Sequence, residues 1–108
     1  MKRGEVWRVR LPFGAGHTQA GERPAIIVQE GVVNAALPTV LVVPLTSTQA
    51  ATRFAGTLVV QPDMQNGLTT PSVALVFQLS ALDKRECLRR LGTLDQNTPD
   101  QVFTILDQ

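Results

Sequence analysis

Two polar side chains stand where apolar segments begin and end, and both are suited to a phosphate. Arg23 precedes Pro24 and the apolar run at 25–28, so its guanidinium is held where a loop becomes a strand. Thr46 ends a second apolar run and is followed by Ser47. A fixed guanidinium and a hydroxyl can bind the oxygens of a phosphate or carboxylate. The alternative is a solvated loop arginine and a strand end satisfied by local hydrogen bonds.

A polar, glycine-rich loop at 13–22 brings further candidates next to Arg23. It contains His17, Thr18 and Gln19, and His17 is the only histidine of the chain. Because imidazole titrates near neutral pH, His17 could move a proton, although a plain loop histidine is the alternative. The single cysteine, Cys87, lies 70 positions from that histidine and is more typical of a small buried hydrophobic residue. One Cys and one His also exclude Cys-based or His-cluster metal sites.

The elements that must position these residues are mainly strands, because the apolar pattern has a period of two. A helix is predicted to begin at Thr98, with proline at its first position and an apolar stripe after it. A further helical turn is predicted near Leu82, and Pro44 predicts a bulge or an edge position in its strand. The predicted strands lie at 5–11, 24–29, 39–46, 56–61, 72–79 and 88–94. We therefore expect a strongly bent sheet or a small open barrel with a C-terminal helix.

Length and composition predict one domain spanning residues 1–108. The chain has 108 residues, of which 44% are hydrophobic and 18% charged, values typical of a globular protein. No apolar run approaches the length of a membrane span, and no signal peptide is recognisable, so we expect a cytoplasmic protein. The formal net charge is +1, but residues 1–60 hold six Lys or Arg against three Asp or Glu. No phosphate-binding or dinucleotide-binding glycine loop is found, so no cofactor is expected.

An ordered series of segments carries a family resemblance over nearly the whole chain. The segments are RGEVW at 3–7, GHTQAGERPAIIVQ at 16–29, Asn34, TVLVVPLTS at 39–47, GL at 67–68, SVALVFQ at 72–78, LDKREC at 82–87 and LGTLD at 91–95. Together they resemble the MazF/PemK family of bacterial toxin–antitoxin endoribonucleases. The resemblance implies a mainly β fold with minor α, namely a small, strongly twisted SH3-like barrel related to CcdB with a short C-terminal helix.

The same resemblance implies an activity, partners and site residues. Members of the family are homodimers that cleave single-stranded RNA without metal, by attack of the ribose 2′-hydroxyl on the neighbouring phosphate, and an antitoxin such as MazE holds them in check. It implies catalytic roles for Arg23 and Thr46, with His17 a candidate for proton transfer. The implied RNA-binding residues are Thr18, Gln19, Ser47 and Gln78. A fixed Arg and a hydroxyl stabilise the charge that builds on the phosphate, so no metal is required.

Several positions depart from the family pattern and leave the acid–base part of the site open. Thr18, Pro71, Leu75 and Phe77 stand where relatives often carry charged residues. His17 could supply the proton transfer, or Arg23 and Thr46 could act largely through electrostatics.

Two other functions remain open at this point: a CcdB-like toxin that binds gyrase and cuts nothing, and a relic that binds RNA or antitoxin without cutting. The gyrase alternative predicts no need for Arg23. RNA sequence preference is expected to reside in the loops at 12–22 and 47–56. Aromatic surface for stacking bases is scarce, with four Phe, one Trp and no Tyr, and Trp7 is expected in the core.

Overall fold

The computed structural model describes residues 1–11, 21–29, 36–95 and 97–106. The strands are β1 (Glu5–Leu11), β2 (Gly21–Ile27), β3 (Thr39–Thr46), β4 (Thr57–Val60), β5 (Ser72–Leu75), β6 (Ser80–Asp83) and β7 (Cys87–Thr93), and helix α1 is Asn97–Leu106. Short 3₁₀ turns lie at Gln49–Arg53, Val76–Gln78 and Lys84–Glu86. The predicted mainly β class with a short C-terminal helix is confirmed.

The described strands form one antiparallel sheet. Its order is β4–β5–β3–β2–β1–β7, and β6 pairs with β3 beside this path. Strand β3 is therefore central and β2 has a neighbour on each side. Both strands that the sequence analysis assigned to the site lie inside the sheet. Closure of the sheet into a barrel stays a prediction.

Apolar side chains alternate between two cores, one on each face of β2 and β3. The first core is Val6, Ile26, Val28, Val43, Leu45, Val60, Leu68, Ala74, Val76, Leu94 and Val102. The second core is Val9, Ala25, Ile27, Val40, Val42 and Leu82, with Met1, Trp7, Leu11 and Cys87 packed against it. Trp7 thus contacts the core, as predicted. Neighbouring residues of β2 or β3 face different cores, so a shift by one residue would move polar groups into the interior.

Pro44 lies where β3 changes partner, which corrects the alternative of an edge position. Up to Val42 the strand pairs with β6, and from Leu45 it pairs with β5. The 3₁₀ turn Val76–Gln78 connects β5 to β6 at this point. A proline, which has no N–H for a ladder hydrogen bond, is well suited to this break in pairing.

Two further predictions are corrected by the described strands. The strand predicted at 72–79 ends at Leu75, because the N–H groups of Val76 and Phe77 turn to donate to the Gly56 carbonyl at 2.9 and 3.3 Å. The helical turn predicted near Leu82 is the 3₁₀ turn Lys84–Glu86, and Leu82 itself lies in β6. Strand β2 also begins earlier than predicted, at Gly21.

A turn around Asn66 packs against β7, where the Thr93 N–H donates to the Gln65 carbonyl at 2.8 Å. Asn66 is 1% exposed, and its side chain bonds to the backbone of Asp63, Leu68 and Gln61. Gly92 explains why β7 can approach so closely, since a Cβ at that position would collide with the Gln65 carbonyl. Within the described residues, no helix has the length and apolar character needed to cross a membrane.

Candidate active site

Arg23 and Thr46 are brought together by the pairing of β2 with β3. The antiparallel register matches Ala25 with Pro44 and Ile26 with Val43. Continued by two residues beyond Ala25 and Pro44, this register sets Arg23 opposite Thr46. The sequence analysis placed the two residues at the start of one strand and the end of the next, and the structure puts these ends side by side.

Arg23 and Thr46 also share a face of the sheet. Ala25, two residues after Arg23, belongs to the second core, and so does Val42, four residues before Thr46. Because side chains alternate along a strand, Arg23 and Thr46 lie on the face of the second core, at its end. Ser47 follows the last residue of β3, out of phase with Thr46. Alternation therefore selects Thr46 over Ser47 as the hydroxyl on the face of Arg23.

Arg23 is largely enclosed by the sheet. It is 8% exposed and pairs across the ladder with Val9 of β1, a fully buried residue. Burial lowers the pKa of the Arg23 guanidinium, yet arginine stays protonated at neutral pH. The result is a positive charge in partly desolvated surroundings, where its interaction with an anion is stronger than in bulk water.

The Thr46 hydroxyl is held by a local hydrogen bond at the end of β3. The backbone N–H of Thr48 donates to Thr46 Oγ1 at 3.2 Å. This bond uses a lone pair of the oxygen, so the hydroxyl keeps its own hydrogen as a donor. The local hydrogen bond predicted for the end of the strand is therefore present, and the Thr46 hydroxyl can still act as the predicted donor.

Glu22, the acid next to Arg23, is engaged elsewhere. Its Oε1 accepts from Arg8 Nε at 3.0 Å, an ion pair on the neighbouring strand β1. Adjacent residues of a strand point to opposite faces, so Glu22 lies away from the face of Arg23 and Thr46. We therefore do not assign Glu22 as the acid or base.

The remaining predicted site residues fall into two groups. Ser47 is exposed beside Thr46, and Gln78 is half-buried at the end of the 3₁₀ turn Val76–Gln78, which packs against β3. His17, Thr18 and Gln19 lie outside the described residues. The roles of all five residues stay predictions.

One feature of the surface beside β3 was missed by the sequence analysis. The rings of Phe54 and Phe77 meet with centroids 6.2 Å apart and planes 56° apart, and the Arg53 guanidinium lies 4.8 Å from the Phe54 centroid. We call Phe54 and Phe77 the aromatic pair. The available signal was an aromatic residue in the loop at 47–56, whereas Phe77 was noted only as a departure from the family pattern.

The other candidates from the sequence show no activated chemistry. The described residues contain no group of three or more His, Cys, Asp or Glu arranged to hold a metal. Burial raises the pKa of the Cys87 thiol, and Asp83 and Glu86 raise it further. A reactive cysteine needs a lowered pKa, so Cys87 fits the structural interpretation.

Comparison with solved structures defines the class of this fold. It matches MazF from Deinococcus radiodurans with a TM-score of 0.80 at 21% identity, covering 98% of this chain and 92% of that one. A mycobacterial endoribonuclease in complex with its cognate antitoxin matches with a TM-score of 0.75 at 24% identity, covering 98% and 90%. The fold is thus that of the small β-sheet toxins. A family model for the PemK-like, MazF-like toxins of type II toxin–antitoxin systems matches residues 2–108, and the chain belongs to this family.

Curated relatives agree with this assignment. Endoribonuclease PemK of Escherichia coli is 36% identical over 103 residues, 95% of this chain and 74% of that protein. Endoribonuclease EndoA of Bacillus subtilis is 29% identical over 102 residues, 94% of this chain and 87% of that protein. These findings confirm the predicted family of toxin–antitoxin endoribonucleases. They favour this interpretation over the gyrase-binding alternative.

Proposed function

We propose that this chain is the endoribonuclease toxin of a type II toxin–antitoxin system, and that it cleaves single-stranded RNA without a metal. The observation that carries the proposal is the position of Arg23 opposite Thr46 on one face of β2 and β3. This pairing presents one charged donor and one neutral donor from adjacent strands. Two such donors match the nonbridging oxygens of a phosphate.

The reaction needs no group beyond RNA and protein. The ribose 2′-oxygen attacks the adjacent phosphorus, the 2′-O–P bond forms, and the P–O5′ bond breaks. One proton leaves the 2′-hydroxyl and one proton reaches the 5′-oxygen, so the products are a 2′,3′-cyclic phosphate and a 5′-hydroxyl. Arg23 and Thr46 stabilise the negative charge that develops on the phosphate oxygens.

We propose that His17 moves these two protons. Its ordinary titration range, about pH 6–7, suits both proton removal and proton donation near neutral pH. The His17→Gln variant is expected to lose a limb of the pH–rate profile near that range and to cut roughly 10²-fold or more slowly. An unchanged profile would leave Arg23 and Thr46 acting through electrostatics alone.

A chemically matched substrate pair tests the cleavage mechanism. RNA with one deoxyribose at the scissile position should bind nearly as well as the all-ribose strand and remain uncut. EDTA should leave the rate unchanged, and the ends of the products should be cyclic phosphate and 5′-hydroxyl. Cleavage of the deoxyribose strand at the same bond would contradict attack by the 2′-oxygen. Sequencing the ends formed from a mixed RNA pool would give the cut site.

We also propose a homodimer controlled by an acidic antitoxin that covers Arg23. Complexes with antitoxins among the similar solved structures support the partner, and the excess of Lys and Arg in residues 1–60 supports its charge. A partly disordered segment that orders on binding can cover a large surface. Light scattering should give twice the mass of 11.7 kDa, and antitoxin should compete with the deoxyribose strand. A monomer, or binding of both without competition, would contradict these proposals.

A further inference from the structure

The aromatic pair is exposed although it is built from two residues that usually lie in a core. Phe54 is 49% exposed and Phe77 is 53% exposed. Their rings contact each other at an angle, and the Arg53 guanidinium lies 4.8 Å from the Phe54 ring centroid. Arg53 is itself exposed. Two uncovered rings and a cation therefore meet at one place on the surface.

The backbone holds this arrangement in place from both sides. Gly56 accepts from the N–H of Phe77 at 3.3 Å and of Val76 at 2.9 Å, and it has a φ of 77° that favours glycine. The Phe54 N–H donates to the Ala51 carbonyl at 3.1 Å, and the Phe54 carbonyl accepts from Thr57 Oγ1 at 3.0 Å. The rings are thus mounted on fixed turns, so little ordering would be needed when a flat ligand binds.

The aromatic pair lies beside β3, beyond the Leu75 end of β5. Phe77 belongs to the 3₁₀ turn that packs against β3 where the strand changes partner. Thr46 pairs with Val73 of β5, and Phe77 follows Val73 by four residues. Four residues span at most about 13 Å of extended strand. A base of an RNA strand whose phosphate is bound at Thr46 is therefore within reach of the pair.

We propose that the aromatic pair is a stacking surface for one unpaired base of the RNA substrate, with Arg53 beside the same nucleotide. This inference rests on the proposed ribonuclease function and adds a specificity-determining element to it. Single-stranded RNA is bound by stacking its bases on aromatic rings and arginine planes. The positive charge of Arg53 complements the phosphate backbone, which distinguishes a nucleotide from an apolar peptide segment as the occupant.

The test is binding of a strand that matches the wild-type cut site and carries deoxyribose at the scissile position. Phe77→Leu keeps an apolar side chain but removes the ring, so affinity should fall roughly 5- to 150-fold, the range for loss of one stacked base. Phe77→Trp should retain affinity, and its emission should be quenched on binding. Trp7, which is packed against the second core, gives the constant background in the wild type. Met64→Ala is the matched control, since Met64 is fully exposed on a different turn.

A double-mutant cycle identifies the base. Abasic nucleotides are introduced into the strand one position at a time. At one position, the loss of affinity for the wild-type protein should equal the loss of affinity that Phe77→Leu causes with the intact strand. Combining that abasic strand with Phe77→Leu should then cause no further loss of affinity. Unchanged affinity of Phe77→Leu, or additive losses at every position, would overturn the stacking surface. A smaller mass of Phe77→Leu in light scattering would also overturn it, because the pair would then be a subunit contact. If the wild-type protein shows this coupling in binding but never cuts RNA, the proposed catalysis is wrong and the stacking surface stands.

Discussion

Arg23 and Thr46 each lie two residues beyond the Ala25–Pro44 pair, on adjacent antiparallel strands and on the same face of the sheet. The β2–β3 ladder, which ends at this pair, therefore positions the two donors relative to each other. The apolar run that follows Arg23 and the apolar run that precedes Thr46 are buried, so the strands cannot slip past each other without exposing the cores. The relative position of guanidinium and hydroxyl is thus a property of the core and not of a loop.

Replacing Arg23 should remove most of the cleavage activity. Arg23→Ala removes a charged donor in partly desolvated surroundings, so we expect a rate loss on the order of 10²–10³. Arg23→Lys should restore little, because an ammonium lacks the planar fork of the guanidinium. Single-turnover cleavage measures both, and circular dichroism with light scattering checks that the variants fold and associate. A folded Arg23→Ala protein that cuts at the wild-type rate would refute the assignment.

The two hydroxyls at the end of β3 should differ in their effect. Thr46→Ala should slow cleavage, but less than Arg23→Ala does, because a neutral donor is lost. Thr46→Ser should keep much of the activity. Ser47→Ala is the comparison, since Ser47 is out of phase with Arg23, and at saturating RNA it should slow cleavage less than Thr46→Ala does. A larger loss for Ser47→Ala than for Thr46→Ala would reverse the assignment of the face.

Asn66 should contribute strongly to stability without a role in cleavage. Its Oδ1 accepts from Asp63 and Leu68 backbone N–H groups, and its Nδ2 donates to the Gln61 carbonyl at 2.9 Å. Asn66→Ala leaves these groups unpaired in a buried turn, which should lower the free energy of unfolding by about 2–3 kcal/mol. Urea unfolding followed by Trp7 fluorescence measures the change. Met64→Ala, in the same turn but fully exposed, should be close to neutral.

Glu5 should make stability depend on pH in the acid range. Burial by itself would raise the pKa of its carboxyl, but hydrogen bonds from Trp7 and the Lys2 backbone, with Arg90 nearby, hold that pKa below its ordinary value. The Glu5 carboxylate therefore stabilises the fold at pH values above its ordinary pKa. This contribution is lost as the pH falls through the lowered pKa of the folded protein. The difference in unfolding free energy between wild type and Glu5→Gln should shrink on acidification. A constant difference from pH 7 to about pH 3 would argue against this linkage.

The strands could be predicted where apolar residues alternate or cluster over six residues or more. Strands β1 and β3 begin and end as predicted, at Glu5–Leu11 and Thr39–Thr46. Strand β6, Ser80–Asp83, was missed because only its two central residues are apolar, and its pairing with β3 holds it in the sheet. The apolar run at 72–79 carries no local sign that its backbone turns toward Gly56 after Leu75.

The sequence was sufficient to select the two donors of the candidate site but not the aromatic pair. Arg23 and Thr46 border two apolar runs, and the antiparallel pairing of these runs as β2 and β3 brings them together. Phe54 and Phe77 are 23 positions apart, and no period links them. Their contact arises from the path of the chain through Gly56, which only the fold reveals.

The change of partner at Pro44 gives the two edges of β3 separate roles in the divergence of such proteins. The edge toward β2 holds the proposed catalytic pair of Arg23 and Thr46, whereas the edge toward β5 and β6 carries the turn with Phe77 and Gln78. Substitutions or insertions at the second edge leave the β2–β3 register intact. Under the proposed roles, a lineage can acquire a new target sequence by altering one edge while the cleavage chemistry is inherited unchanged on the other.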